Sequence, residues 1–490
     1  MPFASKVSSG VSDVEFERRL AERDALIAVQ AERIGELEAL VVELRERLDQ
    51  NSRNSSKPPS SDGYAKPGVS EGRGKDRSLR RRSGRKPGGQ AGHEGHRLER
   101  REDPDRAELH EVKRCECCGR DLSGAPIEQS QSRQVFDLPE MPTLECVEHW
   151  IQMRRCACGH LSSSSFPAGV SAPTCYGPRI RALGIYLVSY QHLPYERAAE
   201  IVSDWAGASI SVATLQAFVA EGAEGLEGFL EEIRGQIADA RVAHFDETGG
   251  RVEGRLHWIH SASTDRLTLL SVHRKRGVEA MNDAGVLANF KGVAVHDGWA
   301  PYRSYENALH ALCGAHHLRE LIGAHERGQV WALGMICLLL DTKHAVEQAK
   351  ADAHERLTDR ALAQLRASYR EVIAMGHEEN PGLAGETGGR RPKRTKAQNL
   401  LLRLDERENE VLRFATDFRV PFDNNLAERD IRMVKLQQKI SGCWRTIEGA
   451  ERFLAIRSYL STARKHGQRP IDALSALTSG RPWLPASSPG

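Results

Sequence analysis

Apolar residues recur every seven positions near the start of the chain and predict a coiled coil over residues 13–50. The first position of each heptad is apolar throughout, at Leu20, Ile27, Ile34, Val41 and Leu48. Leu37 and Leu44 fill the second apolar position in the later heptads, whereas Arg23 and Gln30 weaken it in the earlier ones. The alternative is one amphipathic helix packed on its own domain, but the segment is long and ends in open polar sequence.

Helical periodicity returns over residues 175–235 and predicts a helix-turn-helix-like region. Pro194 begins the first of two helices, and Ser211 is a suitable N-cap for the second. Thr214 and Gln216 would then lie on the candidate recognition helix. A helical hairpin of this kind is equally often plain scaffold, so contact with DNA stays open here.

From residue 241 the period falls to two, which predicts β-strands. The predicted strands cover residues 241–249, 254–263, 266–274 and 292–299, and a fifth short strand runs into a helix. Helices fall between the third and fourth and between the fourth and fifth strands. This order is that of an RNase H-like α/β domain, predicted at 238–465 and followed by a C-terminal tail at 466–490. The fold class is therefore multidomain α+β.

Two aspartates occupy strands that should be neighbours in such a sheet. Asp246 lies on the first strand and Asp297 ends the fourth, so their carboxylates would meet. Glu428, on a later helix, is the best candidate for a third. Three carboxylates at one place repel unless cations neutralise them, which predicts a Mg²⁺ or Mn²⁺ site. Two such ions can activate a water or a 3′-hydroxyl and stabilise the leaving oxygen at phosphorus.

The stretch "PFDNNLAERDIR" predicts the helix that carries Glu428. Its apolar positions share one face, and the opposite face is polar: Asn424, Glu428, Arg432 and Lys435. The structural alternative is a capping box between Asn425 and Glu428, in which Glu428 has no catalytic role. The functional interpretation makes Glu428 a metal ligand and Arg432 and Lys435 DNA contacts, with Asn424, Asn425, His316 and Arg319 in supporting roles.

Further acidic and histidine side chains lie near these motifs. Glu247 points to the opposite face of its strand from Asp246, and Asp430 faces away from Glu428. His316 and His317 follow Cys313 at spacings that metal sites use. We expect a core or phosphate-orienting role for them, because no second ligand pair is nearby in the sequence.

Two cysteine pairs predict a structural zinc module over residues 106–170. Cys115 and Cys118 form C-x2-C, and Cys156 and Cys158 form C-x-C, which suits tetrahedral Zn²⁺. Cys117 could replace a member of the first pair, and free thiols are the alternative. Ten cysteines in 490 residues are not a disulfide framework, so a reduced, cytoplasmic protein is expected.

Positive charge is concentrated in a linker over residues 51–105, predicted to be disordered. Residues 66–101 hold 12 Lys and Arg against 4 Asp and Glu, whereas the whole chain carries a net charge of only +2. Contact with DNA phosphates explains the clustered cations better than a plain solvated linker does. The candidate contacts are Arg80, Arg81, Arg82, Arg85 and Lys86. A second basic loop covers 388–398. The N-terminus lacks a signal peptide, and the longest apolar run, 330–340, is too short to span a membrane.

These motifs in this order resemble the DDE transposases of the insertion-sequence-66 group. The resemblance rests on "NSSKPPSSD", "GRKPGGQAGHEG", the cysteine pairs, "HFDETG", "VHDGWAPY", "CGAHHLREL" and "PFDNNLAERDIR". It implies a catalytic triad of Asp246, Asp297 and Glu428, and a helical insertion at about 322–420.

The predicted function is a transposase that cuts at the ends of its element and joins the 3′-hydroxyls to target DNA. Its expected partners are DNA, a second copy held through the coiled coil, and helper proteins from the same element; no membrane is expected. A non-catalytic DNA-binding regulator and a structure-specific nuclease on the same fold are the alternatives. The intact carboxylate set argues against the regulator, and inverted repeats flanking the reading frame would separate a transposase from both.

Overall fold

The structure is a computed structural model that describes residues 100–137, 144–207, 209–381 and 394–486, with scattered positions between 18 and 55. Two compact units divide the chain. The smaller comprises residues 69–148 and 201–209, and the larger comprises residues 1–68, 149–200 and 210–490.

Most of the predicted coiled coil and the five cations Arg80 to Lys86 named above lie outside the described residues, so both stay predictions. The described seam residues Ile34, Val41, Leu44 and Leu48 are helical. Each of these side chains is at least 46% exposed.

Among the described residues from 144 to 241, a short hairpin and four helices precede the main sheet. Strands β1 (Met153–Arg155) and β2 (Leu161–Ser163) pair antiparallel. The helices are α1 (Pro178–Ile185, continued by a π-helical turn, Tyr186–Tyr190), α2 (Tyr195–Ala206), α3 (Val212–Glu224) and α4 (Glu227–Ala238). The hydroxyl of Ser211 accepts the Thr214 N–H at 3.0 Å and caps α3, as predicted. The two predicted helices of the hairpin are therefore both present.

Five strands form the main sheet in the order β5-β4-β3-β6-β7. They are β3 (Val242–Val252), β4 (Arg255–Ser263), β5 (Thr268–His273), β6 (Val293–His296) and β7 (Leu309–Leu312). The first three form the predicted antiparallel meander, and β6 runs parallel to both β3 and β7. Helix α5 (Val278–Asp283) precedes β6, and a 3₁₀ turn (Ala300–Ser304) replaces the helix expected before β7.

The first strand of the meander is longer than the sequence predicts. Val252 pairs with Arg255, so only Glu253 and Gly254 form the turn. Both have positive φ, 54° and 73°, which is the conformation that two-residue hairpin turns require. The two glycines in "TGGRVE" predict a wider turn, but both lie within β3.

Helices dominate residues 314–416, where the insertion was expected. They are α6 (Gly314–Glu326), α7 (Val330–Ala351), α8 (Asp359–Glu379), α9 (Lys396–Glu406), α10 (Glu408–Val411) and α11 (Arg413–Thr416). The apolar run at 330–340 begins α7 and buries Trp331, Met335 and Leu339 completely, as predicted. Among the described residues, no helix is long and apolar enough to cross a membrane.

Three further helices close the fold: α12 (Asn425–Ser441), α13 (Ile447–Lys465) and α14 (Pro470–Thr478). Ile431 and Val434 of α12 share a buried cluster with Val252 and Ile259 of the sheet. The predicted C-terminal tail, 466–490, therefore contains the helix α14, and its Leu474 is fully buried. Its Thr478 hydroxyl also donates to the Pro178 carbonyl at 2.8 Å.

A mostly buried ion pair fixes α12 to its neighbours. Asp430 Oδ2 accepts hydrogen bonds from the Ser263 and Thr268 hydroxyls at 2.8 and 2.9 Å and from Lys465 Nζ at 2.8 Å. Lys465 also donates to the Thr264 and Leu267 carbonyls. One carboxylate therefore joins α12, the β4–β5 hairpin and α13. This confirms that Asp430 faces away from Glu428.

We expect Asp430→Ala to destabilise the protein by about 1–3 kcal/mol, because it leaves a mostly buried ammonium without its counter-charge. Thermal denaturation of the full-length chain measures the effect. Asp359→Ala is the matched control, since Asp359 is 83% exposed in its pair with Arg356 and should change stability by less than about 0.5 kcal/mol. Equal midpoints for the two variants would show that the Asp430 pair contributes nothing.

Candidate active site

The pairing of β3 with β6 brings Asp246 and Asp297 to the same edge of the sheet. The register runs from Val242↔Val293 to His244↔Val295. Two positions further along, the same offset sets Asp246 opposite Asp297. Asp297 directly follows β6, and its Oδ1 accepts the Trp299 N–H at 2.8 Å, which fixes the carboxylate at the strand end. The predicted adjacency of the first and fourth strands of the sheet is confirmed.

Asn424 attaches the start of α12 to the strand of Asp246. Its Nδ2 donates to the Phe245 carbonyl at 2.8 Å, and its Oδ1 accepts from His244 Nδ1 at 2.9 Å. Its backbone N–H donates to Cys313 Sγ at 3.2 Å. Asn424 is 1% exposed. Because His244 and Phe245 immediately precede Asp246, these bonds fix the first turn of α12, and with it Glu428, relative to that aspartate.

The start of α6 approaches the same segment closely. Gly314 N–H donates to the Phe422 carbonyl at 2.8 Å, and a β-carbon on Gly314 would lie 2.4 Å from the Phe422 ring. Only glycine fits at this distance. The contact brings the first turn of α6 beside the first turn of α12.

The capping-box interpretation of Glu428 is wrong. Asn424, not Asn425, is the N-cap residue, and no side-chain capping bond forms there. Asn425 is exposed, and its backbone N–H donates to Asp423 Oδ1 at 3.1 Å. Glu428 Oε1 is buried and has no hydrogen-bond partner among the described residues. A capping bond therefore does not explain the position of this carboxylate.

The three predicted carboxylates influence one another electrostatically. Burial raises the pKa of Asp246 well above its ordinary value, and the negative charges of Glu247, Asp297 and Glu428 raise it further. Burial also raises the pKa of Glu428; Arg319 and Arg432 oppose the rise, whereas Asp423 and Asp297 add to it. A carboxylate cluster in which Asp246 and Glu428 have raised pKa values, and in which Glu428 has an oxygen without a hydrogen bond, is a donor set that fits a divalent cation.

The predicted supporting residues surround Glu428 at longer distances. His316 Nδ1 lies 3.8 Å and Arg319 Nη2 3.9 Å from Glu428 Oε1, and both residues belong to α6. Of the two cations predicted on α12 to contact DNA, Arg432 is exposed. Lys435 is partly buried, and its ammonium donates to the Gly249 carbonyl of β3.

Glu247 lies on the other face of β3, as predicted, and has partners that the sequence did not reveal. Its Oε1 accepts from Arg276 at 2.9 and 2.6 Å, and its Oε2 accepts from the Tyr302 hydroxyl at 2.7 Å. The Arg276 guanidinium lies 4.7 Å from the Trp258 ring centre and 3.9 Å from that of Trp299. In the sequence, only the alternation of side chains along the strands indicates these partners, because it places Trp258 on the same face of the sheet as Glu247.

Each predicted zinc-binding pair lies in a tight turn. Gly119 N–H donates to the Cys115 carbonyl and Gly159 N–H to the Cys156 carbonyl, both at 2.9 Å, and the glycines have φ of 71° and 88°. Backbone N–H groups of Cys118 and Cys158 lower the pKa of the Cys115 and Cys156 thiols, respectively. The two pairs belong to different compact units, and in each the turn favours a thiolate.

Comparison with known families now identifies the chain. The transposase IS66 family matches residues 173–452, more than half of the chain, and the match includes the whole main sheet and α12. The protein belongs to this family of transposases. Residues 13–99 match a separate family of unknown function, so the cysteine pairs lie outside both matches. A search of curated proteins finds no match.

We expect Asn424→Ala to lower the thermal midpoint strongly, because it removes the side-chain bonds to His244 and Phe245. An unsatisfied buried polar group costs about 1–3 kcal/mol. Asn425→Ala, at the adjacent exposed position, is the matched control and should change little. Indistinguishable melting of the two variants would refute the positioning role of Asn424.

The raised pKa of Asp246 predicts how pH and metal act together on stability. Asp246 holds its proton more tightly when folded, so its contribution favours folding at low pH and is lost as pH rises through the folded-state pKa. A divalent cation offsets that loss. We expect the rise in thermal midpoint caused by Mg²⁺ to grow as the pH is raised from about 4 upward, and Asp246→Asn to abolish this pH dependence. A metal effect independent of both pH and this substitution would contradict the assignment.

Proposed function

We propose that the protein cuts DNA at the ends of its insertion sequence and joins the resulting 3′-hydroxyls to target DNA, with Asp246, Asp297 and Glu428 as metal ligands. The observation that carries the proposal is the convergence of these three carboxylates on one edge of the sheet, within the part of the chain that matches a transposase family. The protein acts as a metal-dependent DDE enzyme in this account.

The three carboxylates would hold Mg²⁺ or Mn²⁺, which supplies activation of the attacking hydroxyl and stabilisation of the leaving oxygen. The chain's own residues supply position and charge. Asn424 orients the helix of Glu428, and Arg319 offsets part of the negative charge around it. Arg432, exposed one turn further along α12, would contact a phosphate of the bound DNA.

DNA binding is proposed for parts of the chain outside the sheet. The basic segment with Arg80, Arg81, Arg82, Arg85 and Lys86 would contact phosphates, and exposed Gln216 on α3 would face DNA. Zn²⁺ would be held by Cys115, Cys118, Cys156 and Cys158. The N-terminal heptads would pair two copies, which the exposure of their described seam residues supports. Helper proteins from the same element remain part of the expectation, as does a cytoplasmic location.

We expect Asp246→Asn, Asp297→Asn and Glu428→Gln each to lower end cleavage and strand transfer by at least about 10³-fold while binding of end DNA changes little. The reason is that each substitution removes a metal ligand without adding bulk. Assays with labelled element ends and target DNA measure cleavage and joining separately. Asp265→Asn, at the exposed β4–β5 turn, is the control and should behave as wild type.

Strand transfer by Glu428→Gln at the wild-type rate in Mg²⁺ would remove Glu428 from the proposed site. Cleavage without any joining, in wild-type protein with its own element ends, would favour a nuclease. Binding without either reaction would favour a DNA-binding regulator.

A further inference from the structure

Three side chains of different chemistry lie close together beside the carboxylates of the proposed catalytic site. Cys313, His316 and Glu428 each provide one potential ligand atom, and these atoms all lie within 4.8 Å of one another. Cys313 is the N-cap residue of α6, and His316 lies in the first turn of that helix. Glu428 comes from α12, far later in the chain. No second ligand pair lies near Cys313 and His316 in the sequence, which did not favour a metal site. The fold, however, brings Glu428 to them as a third potential ligand.

The polar atoms of this cluster lack ordinary partners. His316 Nδ1 and Glu428 Oε1 are both buried without a hydrogen-bond partner among the described residues. Their separation of 3.8 Å is too long for a hydrogen bond. Buried polar atoms are nearly always paired, so two unpaired atoms facing one another call for a common partner. A cation between them would satisfy both.

The donor atoms of the cluster suit a transition-metal ion. Arg319 Nη2 lies 3.9 Å from Glu428 Oε1, too far for a hydrogen bond, so this neighbouring cation does not satisfy the buried oxygen. Cys313 Sγ accepts the Asn424 N–H, and burial raises the pKa of its thiol to about 12, so the free site holds a thiol and not a thiolate.

We propose that Cys313, His316 and Glu428 bind a transition-metal ion of the Zn²⁺ or Co²⁺ class, at a site that shares Glu428 with the proposed catalytic centre. Sulfur and imidazole donors select such ions, whereas Mg²⁺ prefers oxygen ligands. Three protein ligands leave a coordination position open. Ligand atoms around tetrahedral Zn²⁺ lie about 3.3–3.7 Å apart, so small side-chain movements close the site. Binding releases the Cys313 thiol proton to solvent.

Sharing Glu428 gives the site a defined relation to the proposed chemistry. An ion held by α6 residues would fix the carboxylate of α12 at the edge where Asp246 and Asp297 lie. The site itself requires neither aspartate, so its test is separate from that of the proposed function.

Cobalt substitution of the full-length protein tests the proposal. Wild type, Cys313→Ser, His316→Gln and Glu428→Gln are stripped of metal and titrated with Co²⁺, and zinc content is measured on the proteins as purified. The cysteines at 115–158 are present in every variant, so their contribution cancels in difference spectra. Cys337→Ser, which removes an exposed thiol of α7, is the matched control.

We expect each of the three variants to bind about one ion fewer per chain or to bind it at least about 10-fold more weakly. Cys313→Ser should also lose thiolate-to-cobalt charge-transfer absorbance, and Cys337→Ser should match wild type. Glu428 is only partly buried, so Glu428→Gln keeps the test decisive should Cys313→Ser not fold. Identical metal content and spectra in wild type and folded variants overturn the proposal, as does equal loss in Cys337→Ser.

One further variant separates this site from the proposed function. Asp246→Asn should retain the cobalt spectrum while losing the Mg²⁺-dependent stabilisation. Loss of the cobalt spectrum in Asp246→Asn would overturn a site built from Cys313, His316 and Glu428 alone.

Discussion

The parallel pairing of β3 with β6 places Asp246, within β3, beside Asp297, directly after β6, and much of the surrounding structure compensates for the proximity of these two carboxylates. Burial and neighbouring negative charge both raise the pKa of Asp246, so ionising it opposes folding. A divalent cation is the simplest partner for such a cluster. The ionised carboxylate of Asp246 is therefore destabilised at the position where the proposed reaction needs a metal ligand.

Helix α12 carries two acids with contrasting surroundings within one turn. Asp430 accepts hydrogen bonds from two hydroxyls and an ammonium, and these bonds account fully for its burial. Glu428, two residues earlier, has an oxygen with no such partner among the described residues. Asn424 at the start of α12 and Asp430 more than one turn later attach the helix to the sheet and to α13. These contacts position Glu428, whose own ion pairs with His316 and Arg319 are long, at 3.8 and 3.9 Å, which leaves its carboxylate available to a ligand.

Periodicity was sufficient to predict the meander, the buried fourth strand and the face of α12 that packs on the sheet. It also separated Glu247 from Asp246 by strand alternation. It could not predict the Glu253–Gly254 turn width, because the preceding glycines look like turn residues but lie within β3. Helix α14 and the Arg276–Glu247 pair were missed because each depends on contacts between distant segments. The cluster of Cys313, His316 and Glu428 was missed for the same reason, since spacing along the chain cannot show what another helix contributes.

Anomalous scattering from Mn²⁺ in crystals of the full-length protein with its element-end DNA tests the central claim most directly. The account predicts an anomalous peak within coordination distance, about 2.0–2.3 Å, of carboxylate oxygens from both Asp246 and Asp297, with Glu428 contributing to the same centre. Saturating Mn²⁺ with no peak between these aspartates, or with peaks only at other residues, would contradict it.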